Sequence, residues 1–234
     1  MRAVRTLLVL AVAGVALAVA APAGGADECE GLMMCVPVAG PWVVVPASAS
    51  IPRQRVEYQL TCPRAHVVGG LDARLSIRAI DVGFIGTLGS PVNPGITTSR
   101  SVVFLGTYAG RSAEAATFRP FIGCMPSAGG GSRVPTSVSQ LRPGRPVTRR
   151  VKTVRVRPGA TTVTQRCGSG ERLLGGSHAF GFEMRTPPSA SLVAGVSGSQ
   201  QVRGESVVVR VRGDVELAGV RAVVQVHALC SRSS

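Results

Sequence analysis

The chain has 234 residues and a formal net charge of +14, with 26 basic residues against 12 acidic ones and aromatic residues at only 4%. So few aromatic side chains leave little surface for stacking sugars. No G-x-S-x-G, H-E-x-x-H or glycine-rich phosphate loop occurs, which removes the enzyme classes those motifs serve.

The chain opens on Met1-Arg-Ala-Val-Arg5 and an apolar run from Leu7 to Ala21. A charged start followed by about 15 apolar residues is too short to span a bilayer as a helix, and Ala18 and Ala20 form an A-x-A cleavage site. The expectation is a signal peptide over 1–20, with cleavage as late as Ala26, and a secreted protein with no transmembrane span after cleavage. Cys29 follows Asp27 and Glu28 rather than small residues, which argues against a lipid anchor. Six cysteines lie in the mature part, Cys29, Cys35, Cys62, Cys124, Cys167 and Cys230, and an even count in an exported chain points to disulfides rather than metal. All basic residues but Lys152 are arginine, a bias that reflects base composition more than selection for guanidinium chemistry.

Beyond the leader the periodicity is that of strands. Pro41 to Pro46 encloses Trp42 and three valines, with Trp42 expected in the core. Val56, Tyr58, Leu60 and Cys62 share one face, and Glu57, Gln59 and Thr61 the other. Arg100 to Tyr108 and Val151 to Arg157 are rich in β-branched residues, and Phe118, Ile122 and Cys124 align on one face. In Ser206 to Arg212 the valines 207, 209 and 211 alternate with Arg210 and Arg212, a half-exposed strand. Val220 to Cys230 places its apolar residues on one face and His227 on the polar one. No long amphipathic helix is expected.

Cys62 and Cys124 are 62 residues apart and Cys167 and Cys230 are 63 apart, so the offset between copies is 105 at the first cysteine and 106 at the second. This reads as a duplication. At an offset of 106, Gly69, Gly70 and Ala73 fall on Gly175, Gly176 and Ala179, while the central parts stay unmatched. Of 15 possible connectivities, only Cys62–Cys124, Cys167–Cys230 and Cys29–Cys35 respects the duplication. The stretch 127–147 is rich in glycine, proline and arginine and reads as a linker. The expected fold is all-β: two tandem antiparallel β-sandwich (Ig-like) modules over 36–126 and 148–234, each closed by one disulfide, after a cystine loop at 27–35.

Cys167, the polar turn Gly168-Ser-Gly-Glu171, the pair Gly175-Gly176 and the closing Val226-His-Ala-Leu-Cys230 resemble the C-P-x-G, G-G, A-x-C β repeats of uncharacterised secreted bacterial proteins. Cys62-Pro63 matches the opening in the first copy, and the tryptophan usual in mid-repeat is missing. The resemblance implies a fold and no activity.

No histidine of the three, His66, His178 and His227, recurs at one place in both copies, and His227 is expected to be solvated or at an edge. Asp214 and Glu216 read as surface carboxylates on one strand face. The glycine pairs are expected to supply a positive-φ turn or a bulge rather than a ligand site. No residue is assigned a catalytic, cofactor or metal role. Between Glu114 and Glu171 there is no acidic residue. Arg142, Arg145, Arg149, Arg150, Lys152, Arg155 and Arg157 cluster there, a block able to attract anionic polymers or merely to be solvated. The expectation is a non-enzymatic structural or binding protein of the cell envelope or extracellular matrix, with anionic envelope polymers or another envelope protein as partner, and not nucleic acid. The alternative is an exported hydrolase whose site would join His178 and Glu183.

Overall fold

The computed structural model describes residues 27–32, 34–47, 53–85, 100–110, 116–127 and 147–232. The leader, the expected linker after Ser127, and Arg142 and Arg145 lie outside the described residues. Thirteen strands dominate the rest: β1 (Val36–Ala39), β2 (Trp42–Val45), β3 (Arg55–Thr61), β4 (His66–Leu75), β5 (Ile80–Ile85), β6 (Ser101–Tyr108), β7 (Ala116–Pro126), β8 (Val147–Val156), β9 (Gly159–Arg166), β10 (Glu171–Phe182), β11 (Val196–Arg203), β12 (Ser206–Gly213) and β13 (Ala222–Arg232). The described helices are short: one turn, α1 (Ala190–Ala194), capped by the Ser189 hydroxyl, which accepts the Leu192 amide at 3.3 Å, and a 3₁₀ turn over Val215–Leu217. That 3₁₀ turn corrects the expectation for Asp214 and Glu216: β12 stops at Gly213, and the two carboxylates sit on the turn rather than on a strand.

All pairings are antiparallel. The same scheme runs twice along the chain. In the N-terminal half β3 pairs β6, β6 pairs β5 and β4 pairs β7; in the C-terminal half β9 pairs β12, β12 pairs β11 and β10 pairs β13. Strand β8 runs unbroken along β13, whereas its counterpart along β7 is split into β1 and β2 at Gly40-Pro41. Proline has no amide to continue a ladder; the Gly40 amide instead donates to Pro120 at 2.8 Å. Beyond the break β2 pairs β7 on one edge and β10 on the other, so a single seven-stranded sheet, β4-β7-(β1, β2)-β10-β13-β8, crosses both halves.

The pleat of β2 decides where the outer sheets lie. Val43 and Val45 enter a core with Tyr58, Leu60, Phe104 and Phe118, under the three-stranded sheet β3-β6-β5. Trp42 and Val44 enter the other, with Phe182, Val207, Val209, Val224 and Val226, under β11-β12-β9. Alternate residues of a strand point to opposite faces, so the outer sheets cover opposite faces of the large one. Trp42 is buried, as its setting in an apolar run indicated.

The three disulfides are Cys29–Cys35, Cys62–Cys124 and Cys167–Cys230. The latter two pin the end of β3 to β7 and the end of β9 to β13.

The register corrects the expected alignment. Opposite β7, a bulge falls between Val68 and Gly70; opposite β13, it falls between Leu173 and Gly175. Gly70 therefore matches Gly175, at an offset of 105, and Gly176 matches Leu71. The same offset places Ser101, Val103, Leu105 and Thr107 on Ser206, Val208, Arg210 and Arg212. The extra residue enters only after β12, ahead of β13. The glycine pairs lie at bulges, and none of the four has positive φ. Gly70 and Gly123 instead admit the backbone carbonyl of Glu28, which a methyl group at either position would strike; this seats the N-terminal cystine loop against the large sheet.

Candidate functional site

A cluster of ionisable side chains lies where the edge of β3 meets the back of β10, β13 and β8. Strand β3 is hydrogen-bonded only to β6, which leaves one edge of its backbone without a ladder partner. The side-chain amide of Gln225 takes the place of that partner. Its Oε1 accepts the Gln59 amide at 2.6 Å, and its Nε2 donates to the Gln59 carbonyl at 3.1 Å and to Thr153 Oγ1 at 3.2 Å.

His227 completes the arrangement and is fully buried, not solvated as the alternation in β13 implied. His227 does lie on the polar face of β13, but a strand from the other half of the chain covers that face. Because Gln225 Oε1 is the acceptor, His227 Nε2–H donates to it at 2.8 Å, and Nδ1 carries the lone pair that accepts from Arg149 Nη1 at 2.9 Å. The imidazole is therefore neutral and locked in one tautomer. Burial and the Arg149 charge pull its pKa down to about 4, against a smaller opposite pull from Glu57.

Arg149 Nη1 also pairs with Glu57 at 2.6 Å, and Glu57 further accepts from Arg55 at 3.3 Å and from the Ser177 hydroxyl at 3.2 Å. Desolvation raises the Glu57 carboxyl, but the Arg149 hydrogen bond and charge, helped by Arg55, outweigh it and hold the carboxyl below its ordinary range.

A serine, a histidine and a glutamate thus meet, but not as a catalytic relay. Both ring nitrogens of His227 are taken, and Ser177 donates to the carboxylate rather than to the ring, so no base stands ready to activate the hydroxyl. The cluster is a fully paired latch joining the halves. Neither Glu57 nor His227 was assigned this place from sequence, because cross-half contacts leave no periodic signal.

The predicted basic stretch is divided by the fold. Arg149 belongs to the latch. Arg150 forms a two-pronged ion pair with Glu171 at 2.8 and 2.9 Å, and Glu171 also accepts the Gly168 amide at 2.7 Å. Lys152 and Arg155 on β8, an outer edge of the large sheet, and Arg157 just past its end remain exposed, and none of them forms an ion pair with a described residue. Charged side chains on an edge strand also keep other chains from adding to the ladder.

His178 and Glu183 do not share a site. His178 lines an open cleft of about 520 Å³ with Gln54, Arg55, Phe180 and Gln200, its Nδ1 donating to Gln200 Oε1 at 3.0 Å. Glu183 lines a different cleft, of about 410 Å³, beside Tyr58 and Arg119, and is paired with Arg221 at 2.8 Å. Burial, and secondarily the Glu183 charge, raise the Tyr58 hydroxyl far above its usual range, so it is no acid or base near neutral pH. Cys167, Cys230 and Glu171 form the one metal-like cluster among the described residues, but the two sulfurs are bonded to each other and offer no thiolate.

These features define the class: a disulfide-stapled, nearly all-β protein in which one antiparallel sheet is shared by both halves. Among known proteins, no family model, no curated protein and no solved structure matches the chain.

Proposed function

We propose that the chain is a secreted, non-enzymatic binding or structural protein of the cell envelope or extracellular matrix, built from two duplicated β-sandwich modules and contacting anionic polymers through its basic residues. The likeness to secreted C-P-x-G repeats and the signal-like leader support export, and three disulfides suit an oxidising compartment. The observation that carries the binding role is a group of three exposed cations, Lys152 and Arg155 on opposite faces of the edge strand β8 and Arg157 just beyond its end, none of which forms an ion pair with a described residue. Cations in that position neutralise repeating anions and release their counterions. The groups that could have served hydrolysis are committed to each other in the latch or lie in separate clefts.

The test is binding of the mature, oxidised protein to cell-envelope fractions and anionic polysaccharide, alongside a variant carrying Lys152→Ser, Arg155→Ser and Arg157→Ser. Binding that weakens with salt and is reduced in the variant is the expected result. Salt-insensitive binding, or equal binding by the variant, sinks the reading.

A further inference from the structure

The outward face of the sheet β11-β12-β9 carries a second and larger basic surface. Val163, Val207, Val209 and Val211 point into the core, so the alternate residues point out. The register arranges them in four cross-strand rows: Arg203, Ser206 and Arg166; then Gln201, Val208 and Thr164; then Ser199, Arg210 and Thr162; then Ser197, Arg212 and Ala160. Arg166, Arg203, Arg210 and Arg212 are all exposed and none forms an ion pair with a described residue; Arg203 donates to the neutral amide oxygen of Gln201 at 3.3 Å. No carboxylate stands in any row. Glu205, which precedes Ser206, turns its carboxylate to the Leu173 amide of β10, and Asp214 lies beyond the last row.

An ordinary solvated face mixes both signs of charge. This one is purely cationic, and its rows rise by about 7 Å each, giving a track about 20 Å long. The matching face in the N-terminal half shows what such a position can do. There Glu57, Gln59, Thr61, Leu105 and Thr107 stand where Thr162, Thr164, Arg166, Arg210 and Arg212 stand here, and Glu57 receives an arginine of the other half. The second face is open and carries the opposite charge. Guanidinium forks pair two-pronged with tetrahedral oxyanions, and Ser197, Ser199 and Thr162 set hydroxyl donors beside Arg210 and Arg212.

From this we infer that the face of β9, β11 and β12 bearing Arg166, Arg203, Arg210 and Arg212 is a docking surface for a linear polymer of phosphate or sulfate groups. The inference deepens the polyanion reading above by naming a second surface and the anion chemistry.

The test uses the full mature oxidised chain and two variants, one with Lys152, Arg155 and Arg157 changed to serine and one with Arg166, Arg203, Arg210 and Arg212 changed to serine. The probes are inorganic polyphosphate and dextran sulfate, with polyglutamate, neutral dextran and anionic phospholipid vesicles as controls, at about 50 and about 200 mM salt. The four-arginine variant keeps its circular dichroism spectrum, because its inward valines are untouched, and loses at least about tenfold in affinity, with a salt slope shallower by about three. Binding of polyphosphate alone marks a phosphate polymer, and of dextran sulfate alone a sulfated glycan; either supports the inference. If the edge variant loses binding while the four-arginine variant matches the parent chain, the β8 reading stands and this inference falls. Loss in the four-arginine variant alone has the reverse meaning. Equal capture of polyglutamate overturns the oxyanion chemistry, preferential capture of vesicles overturns the polymer, and failure of the parent chain to bind either probe overturns both readings.

Discussion

The outward faces of the two outer sheets occupy matching positions and meet opposite fates. On β3, Glu57 is buried against the other half of the chain and paired there with Arg149, and the backbone of Gln59 is paired with Gln225. On β9, Thr162 and Arg166 face solvent. One strand framework thus serves as an internal joint in one half and as a free surface in the other. The difference is carried by a few side chains, and by β2, which pairs with both halves and brings β3 against β10 and β13.

The largest expected effect tests what the halves have in common. Replacing both cysteines of Cys62–Cys124, or both of Cys167–Cys230, should cost about 4 kcal/mol in the chain-entropy view for loops of this length, read as a drop in urea midpoint. If removal of one bridge left stability unchanged, the halves would not be equivalently stapled.

The joint itself is broken next by Arg149→Met. That leaves the Glu57 carboxylate buried without its main partner and His227 Nδ1 without a donor, at an expected cost of about 3 kcal/mol. Arg212→Met, on the free face, should cost less than about 0.5 kcal/mol. Similar losses for the two would contradict the contrast between joint and free face.

Acid should separate the faces as well. The folded His227 pKa is near 4, below the ordinary 6.5, so between those values the unfolded chain takes up a proton that the folded chain refuses. The stability tied to His227 is whole above about pH 6.5 and falls as the pH drops to about 4, by around 3 kcal/mol. Glu57, whose folded pKa is depressed, contributes stability present above the ordinary carboxyl range and lost as the pH falls through its lowered value. Chemical denaturation at about pH 7 and about pH 4.5 should therefore show a loss that His227→Gln flattens. An identical pH profile in that variant would remove His227 from the account.

The smallest effect concerns the matched glycines. Gly70→Ala pushes a methyl group into the Glu28 carbonyl, whereas a methyl group at Gly175 meets nothing within 4 Å. The first should loosen the Cys29–Cys35 loop, seen as faster reduction by a mild thiol. The second should be neutral or stabilising by up to about 1 kcal/mol; equal reduction rates in the two variants would argue against the loop's seat on Gly70.

Much of the fold was legible because disulfide spacing and two-residue alternation are local. The three cysteine pairs, the strands around Cys62, Cys124 and Cys230, the valine face of Ser206 to Arg212 and the burial of Trp42 all followed from residues close in sequence. The match of the halves was readable further than spacing alone suggested, since Ser101-Val-Val103 and Ser206-Val-Val208 are identical at the offset of the first cysteines. The glycine pairs hid it, because the bulge beside each pair shifts the register by one. The division of the basic stretch was not readable: adjacent residues of a strand face opposite ways, and which way meets a carboxylate depends on Glu57 and Glu171, far along the chain.

By itself, then, the sequence determined the class of structure, the disulfides and which side chains of each strand share a face, because these depend on two-residue alternation and on the matched spacing of the cysteines. Only the tertiary structure decided which polar faces are buried. His227 and Glu57 look like solvent-facing residues until β2 joins the halves into one sheet, and burial of a polar face is a property of what packs on it, not of the strand that bears it.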